Sequence, residues 1–160
     1  MSKSRLEAFT DGVIAIIITI LVLGIDVPEE ASFAALWEQR TQFLVYVVSF
    51  VILAIYWNNH HHLLQIAHRI SGEVMWCNII LLLFLSLFPF TTAWVNTNLF
   101  ARTPELLYGG VMLLADVVWL VLAHALVREN GKDSAVSEAL RDSRKSSISI
   151  ALVAIGLVVG

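Results

Sequence analysis

Apolar residues are gathered into long segments along the chain, separated by short polar stretches. A helix that crosses a hydrocarbon layer of about 30 Å needs roughly 20 mostly apolar residues, and five segments approach that length. The pattern therefore predicts an all-α, polytopic membrane helix bundle that forms one transmembrane domain over residues 1–160. The five predicted spans are about Leu6–Ile25, Phe43–Asn59, Val74–Val95, Leu106–Val127 and a segment that starts near Ser147.

Composition supports a membrane protein. Hydrophobic residues make up 58% of the chain and charged residues 14%, whereas soluble domains have about 45–50% and about 25%. The first segment lacks a small-x-small cleavage site at the position a signal peptide requires, so we interpret it as a retained span. No basic run indicates a nucleic-acid partner.

The distribution of basic residues predicts the orientation. With a cytoplasmic N-terminus, eight of the ten Lys and Arg residues fall on the inner side, and only Arg40 and Arg102 lie outside. Cytoplasmic loops of membrane proteins carry an excess of Lys and Arg. We therefore expect the N-terminus to be cytoplasmic.

The first apolar segment carries a stripe formed by Ile16, Thr19, Ile20 and Leu23, which recur at helical spacing. Such a stripe can face lipid or a neighbouring helix. It can also be a pore wall, in which rings of apolar side chains constrict a channel. The periodicity leaves both interpretations open, because the opposite face of the helix is equally apolar.

Asp11 lies at the edge of this segment, where placing a charged side chain costs free energy. A charged residue in such a position is by default a candidate functional residue. A helix capped at Asp11 would have only about 14 residues and a length of about 21 Å, too short to span. We therefore expect Asp11 to lie inside the helix and to pair with a basic group. The candidates are Arg5 and the histidines at positions 60–62.

Three consecutive histidines, His60, His61 and His62, invite a metal interpretation. Successive helical residues point about 100° apart, so the three cannot converge on one ion, and we predict no metal site. The pattern favours one inward histidine in a hydrogen-bonded network, with its neighbours at the membrane edge beside Tyr56 and Trp57.

Asp116 is a second charge within a span, and His124 follows it two turns later. Both could serve an ion or proton relay. We favour a carboxyl that is hydrogen-bonded to a neighbouring helix. The sequence contains no nucleophile–base pair, phosphate-binding glycine loop or carboxylate dyad, so we do not expect an enzyme.

These motifs resemble the family of the endosomal and lysosomal potassium channel and its small bacterial relatives. The family signature on the first helix runs Arg, three residues, Phe-Ser-Asp-Gly, then Ile, Thr and Leu positions. The chain matches it at Arg5, Phe9, Asp11, Gly12, Ile16, Thr19 and Leu23. Thr10 stands where the family usually has Ser. The second and third helices match through Trp57, His60, His61, Asn78, Pro89 and Phe90.

The resemblance implies a potassium-selective channel without a carbonyl filter, assembled as a homotetramer in a bacterial plasma membrane. It implies that Ile16 forms the tightest ring, that Ile20 and Leu23 continue the constriction, and that Thr19 offers a hydroxyl. The potassium ion is the permeant species, and no cofactor is expected. The resemblance further implies a structural polar network made of Arg5, Asp11, Trp57 and His60.

The helix count and two alternative functions stay open. The family has six helices in each repeat and this sequence offers five, so a sixth is either missing or never existed. The main alternative function is a proton- or ion-coupled secondary transporter that uses Asp11, Asp116 and the histidines. A non-conducting scaffold or accessory subunit is a third possibility. Carriers usually contain inverted repeats and broken midplane helices, and we find no convincing repeat.

Overall fold

The computed structural model describes residues 2–131 and 136–137, and within these residues the chain forms helices and no strands. The predicted all-α fold is thereby confirmed. The predicted fifth span, from Ser147, lies outside the described residues. The elements in chain order are α1 (Lys3–Ile20), a 3₁₀ turn (Leu21–Gly24), α2 (Phe33–Glu38), α3 (Arg40–Ile66), α4 (Gly72–Leu85), α5 (Phe88–Thr97) and α6 (Arg102–Asn130).

Among the described residues, four helical segments are long and apolar enough to cross a membrane: Lys3–Gly24, Arg40–Ile66, Gly72–Thr97 and Arg102–Asn130. They correspond to the first four predicted spans. The helices run further than the apolar segments do. The second predicted span ends at Asn59, yet α3 continues through the histidines to Ile66. Polar residues at the end of a span can remain helical, because the helix satisfies its own backbone hydrogen bonds as it leaves the hydrocarbon.

The third span is divided at Pro89. Helix α4 ends at Leu85, and α5 begins at Phe88 with Pro89 in its first turn. A proline is tolerated there because the first N–H groups of a helix have no intrahelical acceptor. In the intervening turn, the Ser86 hydroxyl donates a hydrogen bond to the carbonyl of Leu83 at 2.7 Å.

The two halves of this divided span share two neighbours and differ in the others. Both α4 and α5 pack against α6 and α1, and α5 packs in addition against α3 and the 3₁₀ turn. The ring of Phe88, at the break, is 1% exposed and meets the rings of Tyr56 and Tyr108 edge-on, with centroids 6.4 and 5.6 Å away. The break thus lies in the centre of the bundle.

Polar side chains inside the bundle are paired across helices. Ser49 of α3 shares a hydrogen bond with the hydroxyl of Tyr108 on α6, and Thr92 of α5 donates to Ser49, both at 3.0 Å. Polar groups that are removed from water are costly unless they are hydrogen-bonded. This cluster therefore joins three helices in one arrangement.

Candidate pore-lining helix and its polar support

Helix α1 and the 3₁₀ turn present one packed face and one exposed face. Ile14 and Leu21 are each 1% exposed and pack into the bundle. By contrast, Ile16 is 59% exposed, Ile20 43% and Leu23 79%. The periodicity could not distinguish the two faces, but the packing does: the predicted stripe lies on the side of α1 that the helices of residues 2–131 leave uncovered.

Thr19 lies on the exposed face between the apolar positions. Its hydroxyl donates a hydrogen bond to the backbone carbonyl of Ile16 at 2.9 Å. Because the hydroxyl proton is directed to the helix backbone, the lone pairs of the oxygen remain available outside it. Thr19 can therefore present an acceptor to a cation among apolar neighbours.

Asp11 lies inside α1, as predicted from the length of the span. Its carboxylate accepts a hydrogen bond from the indole N–H of Trp57 on α3 at 2.9 Å, and this indole stacks on His61 with ring centroids 5.5 Å apart. Asp11 thus meets an indole where the sequence pattern favoured a base. Arg5 is exposed on α1, and its side chain makes no hydrogen bond or ion pair within the described residues.

His60 is the histidine that points into the bundle, and it is 2% exposed. Its Nε2 lies 2.6 Å from the amide oxygen of Asn78 on α4, so the geometry requires the tautomer in which Nε2 carries the proton. The amide nitrogen of Asn78 in turn donates to the hydroxyl of Thr10 on α1 at 2.9 Å. This chain of side chains, the Thr10–Asn78–His60 relay, connects α1, α4 and α3.

The relay has the properties of a structural anchor. Thr10 and Asn78 are fully buried, and the His60 ring lies against Trp119 of α6, with centroids 6.2 Å apart. Every member therefore has a fixed partner in a dry environment, where an unpaired polar group would be expensive. Sequence reasoning had assigned Thr10 and Asn78 to the family motif without giving them this role. The available signal was a lone Asn within the apolar run of α4.

A further contact holds the N-terminal end of α1. The Lys3 ammonium donates a hydrogen bond to the carbonyl of Gln65 near the end of α3 at 2.8 Å and lies 3.9 Å from the carboxylate of Glu7. Exposed ion pairs of this kind contribute little energy. The bond to Gln65 nevertheless places the start of α1 beside the end of α3.

The second intramembrane carboxylate is bound to a neighbouring helix. The hydroxyl of Tyr56 on α3, which is 8% exposed, donates to the carboxylate of Asp116 on α6. His124 is exposed, and its Nδ1 lies 2.6 Å from the carbonyl of Leu120 in its own helix. Asp116 and His124 therefore have separate partners in the structure.

The spans, the buried polar relay and the uncovered apolar stripe together define a polytopic α-helical membrane protein. The chain matches the model of the endosomal/lysosomal potassium channel TMEM175 family over residues 5–89. It is 43% identical over 157 residues to a potassium channel of Chryseobacterium sp., a match that covers 98% of this chain and 82% of that protein. The chain therefore belongs to the TMEM175 family, and the resemblance seen in the sequence motifs is confirmed.

Two further similarities bear on the fold and on function. A crystal structure of a lysosomal potassium-selective channel TMEM175 homolog from Chamaesiphon minutus superposes with a TM-score of 0.77 at 27% identity, covering 98% of this chain and 86% of that one. The mouse endosomal/lysosomal proton channel TMEM175 is 37% identical over 117 residues, which is 66% of this chain but 23% of that protein. The family and these relatives are ion channels and not enzymes.

Proposed function

We propose that this chain is one subunit of a potassium-selective channel in which α1 of each subunit lines a central pore. The observation that supports it most directly is the exposure of Ile16, Ile20 and Leu23 on a helix whose other face is packed. A homotetramer would place four such stripes around one axis. The proposed setting is a bacterial plasma membrane, with the N-terminus in the cytoplasm and only other copies of the chain and lipid as partners.

The proposed basis of selectivity is a hydrophobic constriction at Ile16, continued by Ile20 and Leu23. An apolar ring offers no ligands that replace the water around an ion, so an ion must pass at the cost of partial dehydration. That cost is larger for sodium than for potassium, which favours potassium modestly. The lone pairs of the Thr19 oxygen point away from the helix, so this oxygen would lower the energy of a cation between two apolar rings.

The polar groups around α1 would hold this helix at a fixed rotation and keep the stripe directed at the axis. The Thr10–Asn78–His60 relay and the bond between Asp11 and Trp57 support this role, since each ties α1 to another span. Asp11, one turn before the stripe, would also favour cations at the cytoplasmic mouth. Arg5 would join this network only in the assembled channel, because it is exposed in the single chain.

The test of the proposed function is reconstitution of the purified full chain in planar bilayers, together with imaging of the particle. A channel gives ohmic currents that reverse near the potassium equilibrium potential without a proton gradient. Fourfold symmetry with α1 on the axis would support the pore. Lipid-facing α1, with another element on the axis, would refute it.

The rival function is a proton-coupled carrier, and the observation that favours it is the carboxylate of Asp116 inside a span.

For a channel, we expect Asp116→Asn to leave the potassium current within about twofold of the wild type, because the residue would act only as a link between α3 and α6. The measurement is the current under matched potassium gradients, with and without a proton gradient. Tyr56→Phe, which keeps the acid but removes its donor, is the companion variant. Saturable flux that follows the proton gradient and disappears in Asp116→Asn would indicate a carrier instead.

A further inference from the structure

The end of the α1 stripe has a different helical geometry from the rest. Residues Leu21–Gly24 form a 3₁₀ turn, in which successive side chains advance by about 120° and not by about 100°. Leu21 remains buried at 1% exposure, whereas Leu23 is the most exposed apolar residue of the stripe at 79%. The direction in which Leu23 points is therefore set by this turn.

Two side chains from other helices hold the turn and the residues that follow it. The amide nitrogen of Asn96 on α5 donates a hydrogen bond to the carbonyl of Gly24 at 3.2 Å. Gln42 on α3 exchanges two hydrogen bonds with Asp26, one with the backbone N–H and one with the carboxylate, both at 3.1 Å. The last carbonyls of a helix have no intrahelical partner, so Asn96 supplies a donor that the α1 backbone cannot.

Gly24 brings the turn close to α5. A Cβ placed on Gly24 would lie 3.1 Å from the Cβ of Ala93, tighter than ordinary carbon contacts. A residue without a side chain is the one that permits such an approach of backbone to neighbour. A residue with a Cβ at position 24 would therefore push the turn away from α5 or displace Ala93.

Asn96 is an unusual choice for a residue that serves packing alone. It is 3% exposed, and within the described residues its amide oxygen is buried with no hydrogen-bond partner. An unpaired buried acceptor destabilises a fold, so an apolar side chain of similar size would pack at lower cost. Among residues 2–131, the one hydrogen bond that the Asn96 side chain makes goes to the 3₁₀ turn.

We propose that Asn96 and Gly24 are positioning residues that set the direction of Leu23 and thereby the outer end of the constriction. The inference rests on the proposed function, in which α1 lines the pore. Without the Asn96 bond, the turn can relax toward α-helical geometry. Three steps of about 20° each would then rotate Leu23 by about 60° away from its present direction.

The test measures the accessibility of an introduced thiol in the full-length channel. In a Cys77→Ser background, Leu23→Cys and Ile16→Cys are treated separately with a charged, thiol-reactive methanethiosulfonate while the potassium current is recorded. Adding Asn96→Leu should slow modification at position 23 by up to about fivefold, since loss of one intramolecular hydrogen bond changes an equilibrium constant by about that factor. Modification at position 16 should keep its rate. Asn98→Leu is the control, because Asn98 is exposed and bonds within α5.

A second pair of variants tests the same inference through the close contact. Gly24→Ala should also slow modification at position 23 and alter the potassium-to-sodium permeability ratio. Ala93→Gly, added to Gly24→Ala, should restore both by making room for the new methyl group. This reversal distinguishes positioning from a general loss of stability, and it serves as the test if Asn96→Leu fails to assemble.

The outcomes separate this inference from the proposed pore. If reagent alters the current through neither Leu23→Cys nor Ile16→Cys, α1 does not line the pore and the proposed function fails. If both thiols react but their rates are unchanged by Asn96→Leu and Gly24→Ala, the pore stands and the positioning role is overturned. Slower reaction at position 23 alone, restored by Ala93→Gly, supports the inference.

Discussion

Replacing Ile16 by Asn should raise the single-channel potassium current about tenfold, which corresponds to a barrier lower by about 1.4 kcal/mol. The proposed constriction resists ions because its apolar side chains offer no substitute for water. The amide oxygen of Asn at the same position can coordinate the passing ion, and the side chain is smaller than that of isoleucine, so the constriction also becomes wider. Single-channel recording in planar bilayers measures the effect, and the preference for potassium over sodium should fall at the same time.

The matched control is Ile80→Asn. Ile80 is also an exposed isoleucine within a span, with 41% exposure, but it lies on α4, outside the proposed pore wall. Its replacement should leave the single-channel current unchanged. Equal currents for the wild type and Ile16→Asn, in channels that assemble normally, would mean that the side chain of Ile16 does not limit conduction.

The second large effect is expected for stability. Asn78→Leu removes both hydrogen bonds of the Thr10–Asn78–His60 relay and leaves two buried polar groups without partners. Unsatisfied buried groups cost about 1–3 kcal/mol each in soluble proteins, and hydrogen bonds inside membranes contribute less, so we expect a loss of about 2 kcal/mol. Thermal unfolding of the purified protein in detergent measures it. The N-terminal half of α1 should also become more accessible to protease.

Asn58→Leu provides the comparison for this experiment. Asn58 is exposed on α3 close in sequence to His60, and exposed substitutions usually change stability by less than about 0.5 kcal/mol. Equal melting temperatures for Asn78→Leu and Asn58→Leu would show that the relay does not anchor α1.

The first four spans and their order could be predicted from the sequence, because the thickness of the bilayer fixes the length of each apolar segment. The ends could not. The second span was placed between Phe43 and Asn59, but α3 runs over Arg40–Ile66 and carries the histidines inside it. The hydropathy of a sequence indicates which residues lie in the hydrocarbon layer. The helix itself can continue beyond that layer, because its backbone hydrogen bonds are made within the helix.

For the candidate site, the pattern within each helix predicted the features that depend on one helix, while Asp11 and Trp57 were grouped only through the family resemblance. Asp11 inside α1 and a single inward histidine follow from span length and from the 100° step of the helix. The bond from Trp57 to Asp11 and the pairing of Thr10 with Asn78 depend on how neighbouring helices are rotated and crossed. A sequence pattern within one segment carries no information on that rotation.

The break at Pro89 has a consequence for how such proteins diversify. Helix α4 contacts α1, whereas α5 contacts the 3₁₀ turn as well as α1, so the part of this transmembrane segment that follows the proline supports the end of the stripe. In the proposed channel, substitutions in α5 would change ion preference while the Thr10–Asn78–His60 relay, which involves α4, stays intact. In a comparison of many related sequences, the residues before and after the proline should therefore vary as two independent groups.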